Sequence, residues 1–232
     1  MKGIGDIDAT GRRNGRPAFE IALAHLKGKI LNNDYPPNAR VLQGTIADEL
    51  KLSRTPIREA IMRLEQEGLV RIVPRHGIEI LSLSPDDTRE IYELLACLEP
   101  KAVALLASRR PTLDQIEPLV DACAAMEAAL EIDDRLAWAH ADERFHRCLA
   151  ELSGNSRLRA AIMGFWEQSH RARMFTLRLR PKPVESTREH RAVVEAILAG
   201  DADGAERLYR LHRERAQRVI LEIVERHGFK RL

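Results

Sequence analysis

The sequence predicts a mostly α-helical chain, an N-terminal winged helix-turn-helix followed by an all-helical bundle. Three observations carry that reading. Within residues 17–82, two helical stretches separated by a tight break are followed by β-branched runs around a Pro-Arg-His-Gly turn. After residue 82, apolar residues recur at helical spacing almost to the end. The breakers between those later segments are short, which makes successive helices antiparallel neighbours in a bundle.

Residues 1–16 (MKGIGDIDATGRRNGR) contain four glycines and little apolar material, so a flexible arm is expected. From Pro17, the spacing of Phe19, Ile21/Ala22, Leu26 and Ile30/Leu31 is helical, and Pro36-Pro37 cannot continue it. Asn38 suits a left-handed backbone. Thr45–Leu50 reads as a short helix, and a second begins at Ser53 with Ile57, Ile61 and Leu64 on one stripe until Gly68. LVRIVPRHGIEILSL then reads as a two-stranded hairpin. Boundary signals fall at residues 82–87, a Ser-Pro pair before Asp86-Asp87. Helices are expected at 86–109, 112–131, 133–152, 156–180, 184–199 and 202–228. This divides the chain into an arm (1–16), a winged helix-turn-helix (17–82) and an all-helical domain (83–232).

Only 10 of 232 residues are aromatic, so the core must rely on Leu, Ile, Val and Ala. The net charge of +2 is mild, but its distribution is uneven: residues 10–82 hold 12 Lys/Arg against 8 Asp/Glu, and residues 83–232 hold 24 against 25. The positive excess favours a polyanionic partner for the N-terminal part alone. Cys97, Cys123 and Cys148 stand apart in Ala/Leu-rich helical contexts, where buried reduced thiols are expected. The absence of a membrane-length apolar run or a signal-peptide pattern gives an expected cytoplasmic location and no membrane partner.

The stretch SRTPIREAI places Arg54 and Arg58 one turn apart at a helix start, opposite the apolar stripe. Such arginines serve a surface ion-pair lattice, a phosphate clamp or a nucleic-acid groove. Arg54 has no acidic residue three or four positions later, and Arg58 has only Glu65 at a poor spacing, which favours the groove. In a helix-turn-helix the N-terminal residues of the second helix meet base edges, and an Arg fork pairs with guanine. The hydroxyls of Ser53 and Thr55 and the free N–H groups of the helix start suit phosphates. Glu59–Arg63 and Arg63–Glu67 are ordinary i,i+4 pairs.

TIADELKLSRTPIREAIMRLEQEGLV, followed by PRHGIEI, resembles the N-terminal domain of GntR-type bacterial transcription regulators. The resemblance implies double-stranded operator DNA as partner, with Arg54 and Arg58 on bases or nearby phosphates and Ser53 and Thr55 on the backbone. It also implies that His76-Gly77 forms a wing tip reaching a minor groove, and Gly77 fits a tight tip that needs positive φ. Many members carry an arginine where this sequence has Gly44, so one customary base contact is expected to be missing.

In the helical half, DERFHRCLAELSGN sets Asp142 and His146 at i and i+4, on one face. That spacing serves joint chelation or a plain hydrogen-bonded pair. His190 and His212 follow on later helices, and one Asp with three His offers mixed ligation suited to Zn²⁺, Ni²⁺ or Mn²⁺. The order D…FH…L…SGN, S…EH…AI…GD…A and a His 22 residues later resembles the FCD effector domain of FadR-like GntR regulators. The resemblance implies a divalent transition metal held by Asp142, His146, His190 and His212, with a small organic acid bound against it, in a homodimeric regulator, expected to be a repressor. His140, His170 and His227 fall outside the pattern and are expected to be structural or exposed.

Many FCD domains carry an effector-gripping arginine where this sequence has Leu95. Arg171 and Arg173 are alternative carboxylate clamps, with an exposed charged lattice as the other reading. A competing function is a metal-dependent hydrolase or isomerase with an accessory basic domain, for which Glu143 and Glu189 are the general bases to test. No catalytic residue is assigned.

Overall fold

The computed structural model of the chain describes residues 12–13 and 16–227, with the side chains of residues 12, 13, 16 and 171 outside that description. The chain divides into two compact units, Met1–Ser82 and Leu83–Leu232. Most of the expected arm, residues 1–11 and 14–15, lies outside the described residues. At its end, β1 (Arg12–Arg13) pairs antiparallel with β2 (Arg16–Pro17).

In the N-terminal unit, α1 (Ala18–Leu31) buries Ala22, Leu26 and Ile30, a stripe at intervals of four. Asn33 and Asn38 take φ of 60° and 65° in the following turns. α2 (Gln43–Leu50) begins two residues before the expected start and ends on Lys51 at φ 52°. Leu52 plugs the turn, and α3 (Arg54–Gln66) buries Ile57, Ala60, Ile61 and Leu64. β4 (Val70–Val73) and β5 (Gly77–Ile80) form the expected hairpin. The sheet has a third strand, however: β3 (Arg40–Val41) pairs with β5, giving the order β3-β5-β4. Two residues are too few to show alternation, so this strand exists through its pairing rather than through any pattern of its own.

The C-terminal unit opens with α4 (Pro85–Ala107). Its start is a capping box: Asp87 N–H donates to Ser84 Oγ at 3.0 Å, and Ser84 N–H donates to Asp87 Oδ2 at 2.9 Å. α4 runs on through Pro100, which has no N–H for the carbonyl one turn back. That carbonyl, on Ala96, accepts from Arg210 Nη1 at 3.3 Å. A 3₁₀ turn (Asp114–Ile116) leads into α5 (Glu117–Glu131). α6 (Arg135–Leu152) and α7 (Ser156–Thr176) begin on Asp134 and Asn155, whose side chains accept from first-turn N–H groups. α8 (Val184–Ala199) ends on Gly200 at φ 70°, and α9 (Ala202–Arg226) begins on an Asp201 cap.

α4 packs chiefly on α9 and α7, and α5 packs on α6. α7 stops at Thr176 rather than at the expected residue 180. There the Thr176 hydroxyl donates to Ala172 O at 2.8 Å, and Arg180 Nη2 folds back to Arg173 O at 3.0 Å. Residue 228, the expected end of the last helix, lies outside the described residues. The cysteines correct a uniform expectation. Cys123 is buried, and burial pushes its thiol up to about 12, but Cys97 is exposed and Cys148 half-buried. Cys97 sits on an outward position of an otherwise well-buried helix, which helical context alone does not reveal.

Candidate functional site

The N-terminal unit presents an open cleft of about 770 Å³, walled by Gly44 and Thr45 of α2, Arg54 and Arg58 of α3, and Pro74 and Arg75 of the hairpin. Ser53, Arg54, Thr55 and Arg58 are all exposed. Ser53 occupies the N-cap position of α3, yet its hydroxyl makes no capping bond, so it and the first N–H groups face outward. No ion pair holds Arg54 or Arg58 among the described residues. Glu65, seven residues after Arg58, instead accepts from the backbone N–H of Ile72 at 2.7 Å. Arg63 pairs with Glu67 at 2.9 Å.

The hairpin tip is Pro74–His76, with Arg75 at φ 66° and His76 exposed. This shifts the expected tip by one residue, because Gly77 is already the first residue of β5. Gly77 has φ 82°, and a Cβ there would collide with Val41 O and come within 2.9 Å of Leu42 Cα. Its lack of a side chain therefore serves packing against β3 as well as the turn. At Gly44 nothing lies within 4 Å of an added Cβ, so that site has room for a side chain.

In the C-terminal unit, α6, α8 and α9 bring His146, His190 and His212 together, with one ring nitrogen of each within 4.8 Å of the others. All three are buried. Asp142, one turn before His146, places Oδ1 3.6 Å from His146 Nε2 and 3.9 Å from His190 Nε2. Its Oδ2 is in close contact with Arg173. Arg173 is thus buried rather than part of an exposed lattice, with its guanidinium 5.3 Å from the Trp166 ring centre. Arg171 also lies on α7, but its side chain is outside the described residues. Leu95 is fully buried in the bundle core.

The outer nitrogens of two histidines are already engaged. His146 Nδ1 meets Tyr209 OH at 2.7 Å and Glu99 Oε1 at 3.3 Å. His212 Nδ1 meets Glu189 Oε2 at 2.7 Å, and Arg215 grips both oxygens of that carboxylate at 2.6 Å. Such bonds fix ring orientation and leave Nε2 for the centre of the cluster. His190 differs: both of its ring nitrogens are buried with no hydrogen-bond partner. Burial pulls His146 and His190 below the ordinary histidine range and His212 to about 4. All three are neutral imidazoles near pH 7, each with a lone pair to donate.

Sequence reasoning missed the buried pair behind this cluster. Arg213 contacts Glu99 closely and lies 5.5 Å from the Tyr92 ring centre. Burial alone would raise Glu99, but Arg213 and His146 outweigh it and hold the carboxyl below its usual range. The signal was present, since Glu99 is a lone carboxylate within the apolar stretch LLACLEPKAVALLA. Of the other histidines, His170 is buried against Trp166 with ring centres 4.9 Å apart, while His140 and His227 are exposed.

Residues 20–80 match the family described as bacterial regulatory proteins, gntR family, and residues 90–215 match the FCD domain. The chain belongs to the GntR family. It is a DNA-binding transcription regulator with an FCD domain, and not an enzyme. An HTH-type transcriptional regulator from the TAR-I ttuE-ttuC' intergenic region of Agrobacterium vitis is 45% identical over 126 residues, covering 53% of this chain and 74% of that relative. The Nta operon transcriptional regulator of Aminobacter aminovorans is 34% identical over 139 residues, covering 60% and 65%. Among solved structures, E. coli McbR/YncC matches with TM-score 0.78 at 20% identity, over 89% of this chain and 98% of that one. The metal-free FCD domain of TM0439 matches with TM-score 0.52 at 20% identity, over 62% and 97%. Family membership sets aside the hydrolase or isomerase alternative. No helix among the described residues is long and apolar enough to cross a membrane.

Proposed function

We propose that this GntR regulator is a cytoplasmic homodimeric repressor whose helical domain responds to a small organic acid bound beside a metal. Arg54 and Arg58 read base edges in a major groove, Ser53 and Thr55 hold phosphates, and His76 at the hairpin tip reaches a minor groove. Asp142, His146, His190 and His212 hold a divalent transition metal, zinc, nickel or manganese. The observation that carries the metal reading is His190, a neutral imidazole with two unpaired buried nitrogens beside two histidines and a carboxylate. Leaving such a group unsatisfied is costly, and a cation accepting its lone pair offsets that cost at one of the two nitrogens. Ligands about 2.0–2.1 Å from one ion lie roughly 3–3.5 Å apart, a modest contraction of the present cluster.

Arg173 Nη1 is buried without a hydrogen-bond partner and suits the carboxylate of the acid. This reading gives the clamp to Arg173 on α7, in place of the arginine that Leu95 replaces. If the acid weakens operator binding, the operator must weaken acid binding by the same factor.

Two measurements test the proposal. Binding to DNA flanking the protein's own gene should be sequence-selective and fall steeply with salt; selectivity for no such segment removes the regulatory reading. Elemental analysis should find metal in the purified wild type and a large loss in His146→Ala, whereas equal content in the two removes this ligand set.

A further inference from the structure

A second cavity in the C-terminal unit, of about 140 Å³, lies where the segment after α7 meets the starts of α6 and α8 and the middle of α9. None of the four proposed metal ligands lines it. Four cations do: Arg135, Arg180, Lys182 and Arg215. Three of them have acidic partners. Asp133 lies 3.1 Å from Arg135 Nε and 3.9 Å from Lys182 Nζ, and Glu189 lies 2.6 Å from Arg215 Nη2. The carboxylate on the rim, Glu185, faces Arg188 at 3.4 Å.

Arg180 has no acidic partner among the described residues. Its Nη2 donates to Arg173 O at 3.0 Å, while its Nε is buried with no hydrogen-bond partner. A half-buried guanidinium with a shielded Nε–H and no counter-charge is costly to hold, and one negative charge beside it offsets that cost. The walls specify the rest of the ligand. Leu177 and Val219 are apolar, and Trp138 has already given its Nε1–H to Thr187 Oγ1 at 2.9 Å, so its ring is what remains for contact. A dry protein cavity of about 150 Å³ accommodates benzene, so the volume suits one ring or a short branched chain.

We propose that this cavity is a second binding pocket, taking a small organic monoanion with an apolar body and anchoring it on Arg180. Two threads run from it toward the histidine cluster. Arg215 holds Glu189, which holds His212, and Arg180 holds the backbone of Arg173. The pocket does not depend on the metal reading, and its test is arranged to keep the two apart.

The probe is 4-fluorobenzoate, followed by fluorine NMR and calorimetry on the full chain, with 4-fluorobenzamide as the neutral control. Saturable benzoate binding is expected, unchanged by a chelator. Affinity should fall about tenfold or more in Arg180→Gln, which removes the charge-assisted bond, with benzamide similarly weak. Ala216→Phe, which fills the cavity from α9, should abolish binding even if Arg180→Gln proves unfolded by circular dichroism. The pocket assignment is overturned by no saturable binding, by binding lost with the chelator, or by wild-type affinity in a folded Arg180→Gln or Ala216→Phe.

Discussion

Arg54 and Arg58 stand exposed at a helix start with no ion pair among the described residues, whereas Arg173 and Arg213 are buried in the helical bundle, each against a carboxylate. The same side chain does opposite work in the two units. In water an unpaired guanidinium costs little and stays available to an outside polyanion. In a dry interior it must be matched, and the pair then organises what surrounds it: Glu99, held by Arg213, orients His146. Removing a charge should therefore change recognition in the first unit and folding in the second.

The largest expected effect falls on the buried side. Arg213→Met leaves Glu99 buried and unmatched and should cost about 3–5 kcal/mol in urea denaturation. Glu99→Leu combined with Arg213→Met should cost clearly less than either single change. Equal losses in single and double variants would mean that shape, not charge matching, governs this part of the bundle.

His170 sharpens the contrast through pH. Burial pulls it down to about 4, while an unfolded histidine titrates near 6.5. As pH falls below about 6.5 the unfolded chain takes up a proton that the native site refuses. Stability therefore declines until the native site also titrates near 4, and this contribution then levels off. The loss from His170 amounts to roughly 3 kcal/mol. His170→Phe should flatten the decline by that amount in urea midpoints measured at pH 7, 5 and 4.

On the exposed side, Arg58→Ala should leave stability nearly unchanged and relax base preference by about 1–3 kcal/mol at one position of each half-site. A uniform loss across all sequences would instead make Arg58 a phosphate contact. The smallest effect is expected at Gly44, where an added side chain meets nothing within 4 Å. Gly44→Arg should leave stability nearly unchanged, because the helix propensity gained over glycine is offset by a cation in the first turn of α2. Selection from a randomised operator pool should also show a new preference at one position.

Much of this was legible in the chain. The stripe of Ile57, Ile61 and Leu64, the stop at Gly68 and the helix start after the Ser-Pro pair mark local structure, because helix periodicity and turn geometry are properties of neighbouring residues. Asp142 and His146 share a helix face for the same reason. Less legible were β3, two residues long, and the end of α7, which depends on Thr176 and Arg180 folding back. The tip of the hairpin shifted by one residue because Gly77 answers to β3 as well as to its own turn.

By itself the sequence determined the helical class, the order of the segments, the apolar faces and the residue types available for groove reading and ligation. Those follow from short-range spacing and side-chain chemistry. Only the tertiary structure decided that Arg173 lies on Asp142, that Glu99 and Arg213 stand behind His146, and that Arg180 lines a second cavity with no acidic partner among the described residues. These are contacts between distant segments, where burial changes the cost of charge, and nothing local in the chain encodes which groups become buried together.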